Sequence, residues 1–326
     1  GPAGGTRTVQ RGRATVKEII EKRQNFREKP ISERNSAIGR HWRSGLAVLL
    51  ALLAPLLAAA RPVTLENLFR DSQGRDYQSP SPDELRQAEQ LFQRAFAGRI
   101  EAADWAALGF RVERLTEQGG VLTVIREAPD QRRGRGFYAF VDSPVSAPIL
   151  QAPHALSDRY TGIIAVELFA SGRFAAGAWS TAPRGYQDDD EDVDADMAHR
   201  PDSYFVAFSR AAAMSRPAKV VVQLHGFAAD KRKTEAGRRA GAIVSASQRQ
   251  PTPVAEELAR CLGGVFAEPV LLYPLQVKEL GGLTNQIAQT LRTLDHSGFV
   301  HLELAQPLRE QLHRDAEARQ RFGACL

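Results

Sequence analysis

The chain has 326 residues, 43% of them hydrophobic and 25% charged, values that supply a well-filled core for one or two domains and exclude a chain disordered throughout. Its formal charge of +5 is held unevenly: residues 1–45 carry eleven Lys and Arg against four Glu, a surplus of seven that leaves the remainder at −2. The basic character therefore belongs to the leader, and the body gives no reason to expect nucleic acid as a partner.

In chain order, the first feature is "RHWRSGLAVLLALLAPLLAAARP", where a basic flank precedes fifteen uncharged residues, 46–60, that end in Ala58-Ala59-Ala60. This pattern reads as the core of a secretory signal peptide. Crossing a bilayer takes about 20 apolar residues, and Pro55 interrupts the run, so a cleaved segment and an exported, periplasmic or extracellular protein are expected. Membrane attachment is expected only if that leader stays uncleaved. The polar stretch ahead of it is about twice the usual length, and the first Met is Met197, so the natural start is expected elsewhere. In an exported protein the two cysteines, Cys261 and Cys325, either form a disulfide or remain two buried thiols.

Past the leader, Ser81 is a candidate N-cap with Pro82, Asp83 and Glu84 behind it, and Leu85, Ala88, Leu91, Phe92 and Phe96 keep helical spacing, predicting a helix over 82–97. Extended runs follow in "FRVERLTE", "GVLTVIREA", "GFYAFVD" and "APILQAPH", separated by turn compositions. Helices are predicted near 159–169, 201–214, 253–262 and 285–294, and strands near 219–224, 269–273 and 299–304. Strands alternating with helices indicate an α/β fold around a mixed, mostly parallel central sheet flanked by helices. The acidic run "YQDDDEDVDAD" reads as a solvated loop, because like charges repel and no glycine stands where an EF-hand needs one.

In α/β sheets the ligand site lies beyond the carboxyl ends of the strands. Three of these strands end in polar chemistry: "APILQAPH" delivers His154 with Asp158 four residues on, "VVVQLH" delivers His225, and "FVHLEL" carries His301 and Glu303. A catalytic zinc takes three protein ligands and keeps one position open. His154 and Asp158, spaced i to i+4 at the start of a helix, point to one side, and His225 supplies a distant third ligand. Glu303 is then the carboxylate that takes a proton from water. Taken singly, each has a plainer reading: a loop histidine, a satisfied strand-end histidine, a solvent-facing glutamate. Their joint occurrence at strand ends favours the site. Gly226 is expected to let the backbone turn away from a crowded centre.

"APHALSDRYTG", "VVVQLHGF" and "VHLELAQPLRE", in that order, resemble the clan of zinc carboxypeptidases, N-formylglutamate amidohydrolases and poly-γ-glutamate hydrolases. The resemblance covers about residues 105–312 and implies a carboxypeptidase-like fold; with the helix of 82–97 placed in a helical lead-in over 61–104, a single metallohydrolase-like domain over 105–326 is expected after the leader. It implies zinc-dependent hydrolysis of an amide in a small molecule or peptide, with His154 the first ligand, His225 the third and Glu303 the general base. Where the clan's pattern has its second ligand, Glu, this chain has Ser157, and Asp158 one place on is the substitute. An arginine that steadies an oxyanion or a substrate carboxylate is also implied. Arg184 and Arg200 lie between the motifs as such a residue would, and Asp196 and His199 are placed in the same cleft by position alone. Asp158 also keeps a second reading open, an exported binding module on the same fold with a degenerate site, for peptides or cell-wall material.

Overall fold

The computed structural model describes residues 63–142, 147–185, 195–215 and 220–326, all within one compact unit. The apolar segment 46–60 and the acidic residues 188–194 lie outside the described residues. No described helix is long and apolar enough to cross a membrane.

The chain enters through α1 (Leu65–Asp71), α2 (Pro82–Phe96) and α3 (Ala102–Ala106). Ser81 caps α2: its hydroxyl accepts from Glu84 N while the Glu84 carboxylate returns to Ser81 N at 2.8 Å, the reciprocal box that satisfies two orphan donors of a helix start. An antiparallel meander follows, β1 (Phe110–Glu117), β2 (Gly120–Glu127) and β3 (Phe137–Val141). Alternation then sets in with β4 (Ile149–Ala152), α4 (Thr161–Ala170), β5 (Ala176–Trp179), α5 (Tyr204–Ser215), β6 (Val221–Phe227), α6 (Glu235–Arg239), β7 (Ala242–Ser245), α7 (Pro253–Val265), β8 (Val270–Leu272), α8 (Gln286–Thr293) and β9 (Phe299–Ala305). Two helices close the chain, α9 (Gln306–Arg314) and α10 (Ala316–Cys325).

The described strands form one mixed sheet in the order β1-β2-β3-β5-β4-β6-β9-β7-β8. Its centre, β5-β4-β6-β9, is parallel, as the alternating pattern predicts, and antiparallel ladders flank it at β3 and β7. One face packs Leu150, Val222, Leu224 and Val300 against α1, α4, α7, α9 and α10, and the other packs Ile149, Val221 and Phe299 against α2, α3, α5 and α8. Covered on both sides, the central strands must be apolar throughout except where polar groups find partners. From β4 the chain crosses to β5 on one side, whereas β6 lies on the other. The crevice between the ends of β4 and β6 is therefore a topological switch point, where such sheets bind ligands.

Three details depart from the sequence reading, and one open alternative is decided. β6 runs three residues beyond 224, because its ladder with β9 continues to Phe227↔Ala305, so His225 and Gly226 sit inside the strand and Gly226 makes no turn. α4 starts at Thr161, which places His154 and Asp158 in a turn ahead of the helix. β5 and β7, reading "AGAW" and "AIVS", are strands that the sequence reading lacks: each has only four residues, all buried, so neither shows alternation, and β5 has no β-branched residue. The cysteine alternatives resolve to a disulfide, Cys261 on α7 to Cys325 on α10 with Cα atoms 5.7 Å apart.

Candidate metal centre

His154 follows β4 directly, and the chain folds at once: Asp158 N donates to His154 O at 2.9 Å, closing a single five-residue turn. That turn, rather than a helix, brings the two side chains to one side. Tyr160 ends it in the left-handed region at φ 73°, a conformation that a bulky residue adopts only when its surroundings impose it. From the neighbouring strand, His225 projects to the α5/α8 side of the sheet, two residues beyond Gln223 by the period of two. β9 repeats the spacing, and the ladder sets Gln223 beside His301 and His225 beside Glu303.

Three donor atoms converge. His154 Nδ1 lies 3.1 Å from His225 Nδ1 and 3.4 Å from Asp158 Oδ2, and His225 Nδ1 is 3.9 Å from that same oxygen. A tetrahedral ion with bonds of about 2.0–2.2 Å needs ligand atoms about 3.3–3.5 Å apart. The triangle fits, so a carboxylate one place later and one methylene shorter than the clan's Glu still reaches.

The outer nitrogens explain why the inner ones face each other. A directed chain of hydrogen bonds crosses the core: Ser209 Oγ donates to Phe205 O at 2.8 Å, Gln151 Nε2 to Ser209 Oγ at 2.8 Å, Gln223 Nε2 to Gln151 Oε1 at 3.0 Å, and Asn285 Nδ2 to Gln223 Oε1 at 2.5 Å. Anchored on a backbone carbonyl, the chain assigns Gln223 Oε1 as an acceptor. His225 Nε2, 2.8 Å from that oxygen, must therefore donate, leaving a lone pair on Nδ1. On the other ring, His154 Nε2 donates to Asp196 Oδ1 at 2.8 Å, and Ala198 N holds that carboxylate oxygen at 3.0 Å. Neutral His154 thus also turns its Nδ1 lone pair inward. Two lone pairs 3.1 Å apart repel unless a cation or a proton lies between them. Second acceptors on ligating histidines are what fix ring orientation at metal sites.

Protonation follows the same geometry. Burial opposes a charge on His154, but Asp158 and Asp196 outweigh it and push the ring up to about 9. Burial, with the neighbouring His301 and His154, holds His225 well below the usual histidine range. Without a metal, a proton on His154 Nδ1 would relieve the repulsion, with His225 Nδ1 at 3.1 Å and Asp158 Oδ2 at 3.4 Å to receive it. Burial would raise Asp196, yet its bonds from His154 and His199 bring it down.

Beside the triad stands a second group. His225, His301 and Glu303 also offer atoms within 4.8 Å of one another. Having one free nitrogen, His225 serves only one of the two groups. The His301 ring lies 4.3 Å from the His225 ring and its Nε2 is 3.7 Å from Glu303 Oε1. His301 Nδ1 and Glu303 Oε2 are buried, and neither has a hydrogen-bond partner in the described structure. Burial and the Asp158 charge push Glu303 up to about 8 against the pull of His154, while burial holds His301 down at about 3.

The remaining expected residues divide. Asp196 is engaged with His154 Nε2 through Oδ1 at 2.8 Å, while its Oδ2 faces His199 and Arg184. His199 bridges Asp196 Oδ2 at 3.0 Å and Thr284 Oγ1 at 3.1 Å, at the half-exposed rim. Arg184 is also at the rim, half-exposed, with Nε 4.0 Å from Asp196 Oδ2 and its backbone N–H held by Ser157 Oγ at 2.9 Å. Arg200 turns the other way, to Ser79 at 2.8 Å, Asp202 at 2.7 Å and the face of Tyr77 at 5.1 Å. Gln223, Gln151, Asn285 and Ser209 carry no motif and had no role in the sequence reading. Only the i, i+2 spacing of Gln223 and His225 hinted at them.

No family model matches the chain, and no curated protein matches it. Solved structures do resemble it. A bacteriophage poly-γ-glutamate hydrolase is similar at 8% identity and a TM-score of 0.35, over 67% of this chain and 86% of that one. A succinylglutamate desuccinalase from Vibrio parahaemolyticus is similar at 10% identity and a TM-score of 0.39, over 69% and 78%. A metallopeptidase-like protein from Shewanella baltica is similar at 10% identity and a TM-score of 0.29, over 77% and 98%. The first carries the name of one of the groups that the three sequence motifs resemble. At these scores the likeness is one of outline, and the chemistry has to be read from the side chains.

Proposed function

We propose that this chain is an exported, zinc-dependent hydrolase of amide bonds in small molecules or peptides. The observation that carries the reading is the pair of inward Nδ1 lone pairs on His154 and His225, 3.1 Å apart beside Asp158 Oδ2, with both outer nitrogens committed elsewhere. Two imidazoles and one carboxylate form a donor set suited to zinc. Held there, zinc supplies a Lewis acid that polarises the amide carbonyl and acidifies water. The chain's own groups do the rest. Glu303, pushed up to about 8 by burial when no cation is beside it, would be held as a carboxylate by the charge of a bound metal, and its buried, unpartnered Oε2 then accepts the proton of the water that attacks the carbonyl carbon. As the C–N bond breaks, Glu303 returns that proton to the leaving amine. Arg184 at the rim offers a guanidinium fork to a substrate carboxylate, and His199 lines the same opening. Export is supported by the disulfide, a bond that persists in oxidising compartments.

The test is a chelator cycle on the full chain, assayed on a panel of N-acyl amino acids and short peptides. Hydrolysis of at least one member that disappears on stripping and returns with zinc supports the proposal. Equal hydrolysis by stripped protein contradicts it.

A further inference from the structure

Arg309 enters from the first turns of α9 and is 5% exposed, yet no carboxylate lies within ion-pair distance of it among the described residues. Burial pulls its guanidinium below the usual range. A buried cation without a counterion is costly, so the groups that receive it are informative. All of them are backbone carbonyls: Nε donates to Leu304 O at 3.1 Å, Nη1 to Arg159 O at 2.6 Å and Nη2 to Phe227 O at 3.1 Å. These carbonyls belong to three separate segments. Leu304 adjoins Glu303, Phe227 lies two residues past His225, and Arg159 adjoins Asp158.

Two further features point to the same place. A Cβ on Gly226 would stand 2.5 Å from Arg309 Cζ, so glycine is needed here for the guanidinium to lie across β6, and its own N–H donates to Asp158 Oδ2 at 2.9 Å. Tyr160, two residues past Asp158, holds its left-handed φ of 73° directly after the carbonyl that Arg309 grips most closely. The turn that lets an aspartate at 158 reach the ligand triangle is thus pinned from outside the turn.

Resting on the metal reading above, we propose that Arg309 is the positioning residue of this centre: by gripping the carbonyls of Arg159, Phe227 and Leu304 it sets Asp158, with its short side chain, at ligand distance from His154 and His225. It touches neither substrate nor metal. The guanidinium takes the place of the extra methylene that a glutamate ligand would provide.

The experiment compares zinc affinity, by chelator competition, with the melting temperature of the metal-free full chain for Arg309→Lys, Gly226→Ala and Asp158→Glu, alone and combined. A lysine keeps the charge but loses the three-way fork, and Gly226→Ala displaces the fork while leaving Arg309 in the sequence, which covers the case in which Arg309→Lys fails to fold. Each is expected to weaken zinc about 10–100-fold, as loss of an outer support does. Asp158→Glu alone is expected to weaken zinc, and to weaken it less, or strengthen it, in either background, because the freed turn accommodates the longer side chain. Unchanged zinc affinity in Gly226→Ala and Arg309→Lys, or an Asp158→Glu penalty equal in all backgrounds, overturns the proposal whatever the melting temperatures show. A wild-type chain that binds no zinc overturns the metal reading as well, and so is told apart from failure of this inference alone.

Discussion

The two halves of the cleft are built on opposite terms. On the side of β4 and β6, the outer nitrogens of His154 and His225 have assigned acceptors, in Asp196 and Gln223, and the carboxylate of Asp158 is held by Gly226 N. On the side of β9, His301 Nδ1 and Glu303 Oε2 are equally buried and have none. Satisfied groups hold geometry, whereas unsatisfied ones are costly and persist where something else uses them. On the proposed function, the first half would hold the metal and the second would carry the chemistry.

The sharpest way to break that division is Glu303→Gln. The variant keeps shape and removes the proton acceptor, so zinc content should be unchanged while kcat for amide hydrolysis falls by about 10²–10⁴-fold. Loss of zinc would instead put Glu303 in the holding half. The converse change, Gln223→Leu, removes the acceptor of His225 Nε2 and should weaken zinc by about 10–100-fold, read by chelator competition, with little change in kcat at saturating zinc.

Acidity offers a third test. In the metal-free protein His154 titrates at about 9, raised above its ordinary value, and a metal ligand must be deprotonated. Zinc must therefore displace one proton below that pH, so its affinity should rise about tenfold per pH unit from 7 towards 9 and level off above. Calorimetry in buffers of different ionisation enthalpy counts the proton released. A pH-independent affinity would remove the proton from between the two rings. Smaller still is His301→Phe, expected to lower kcat only several-fold with zinc content intact, since His301 neighbours Glu303 at 3.7 Å without a close hydrogen bond.

Much of the fold around the candidate site was legible in the sequence. "VVVQLH" and "FVHLEL" are largely apolar runs, the mark of strands buried on both faces, so the polar residues within them stood out, and α2 announced itself through Ser81, Pro82 and Glu84. What stayed hidden has physical reasons. Gln151 and Ser209 are separated by 58 residues and meet only across the packing of α5 on β4. Gly226 looked like a turn residue because glycine serves both turns and close approaches, and only the position of Arg309, 83 residues later, distinguishes them. Asp158 departed from the clan's pattern, which has Glu where this chain has Ser157, and what brings Asp158 beside His154 is a single turn, which the sequence reading had taken for the start of a helix. β5 and β7 are short and small, and burial on both faces leaves no alternation to read.

The most direct measurement is zinc per chain by elemental analysis after purification at neutral pH with zinc supplied, set beside His154→Ala and His225→Ala. About one equivalent in the wild type, and none in either variant, is the predicted result. Less than about a tenth of an equivalent in the wild type, or a full equivalent surviving either substitution, would contradict it.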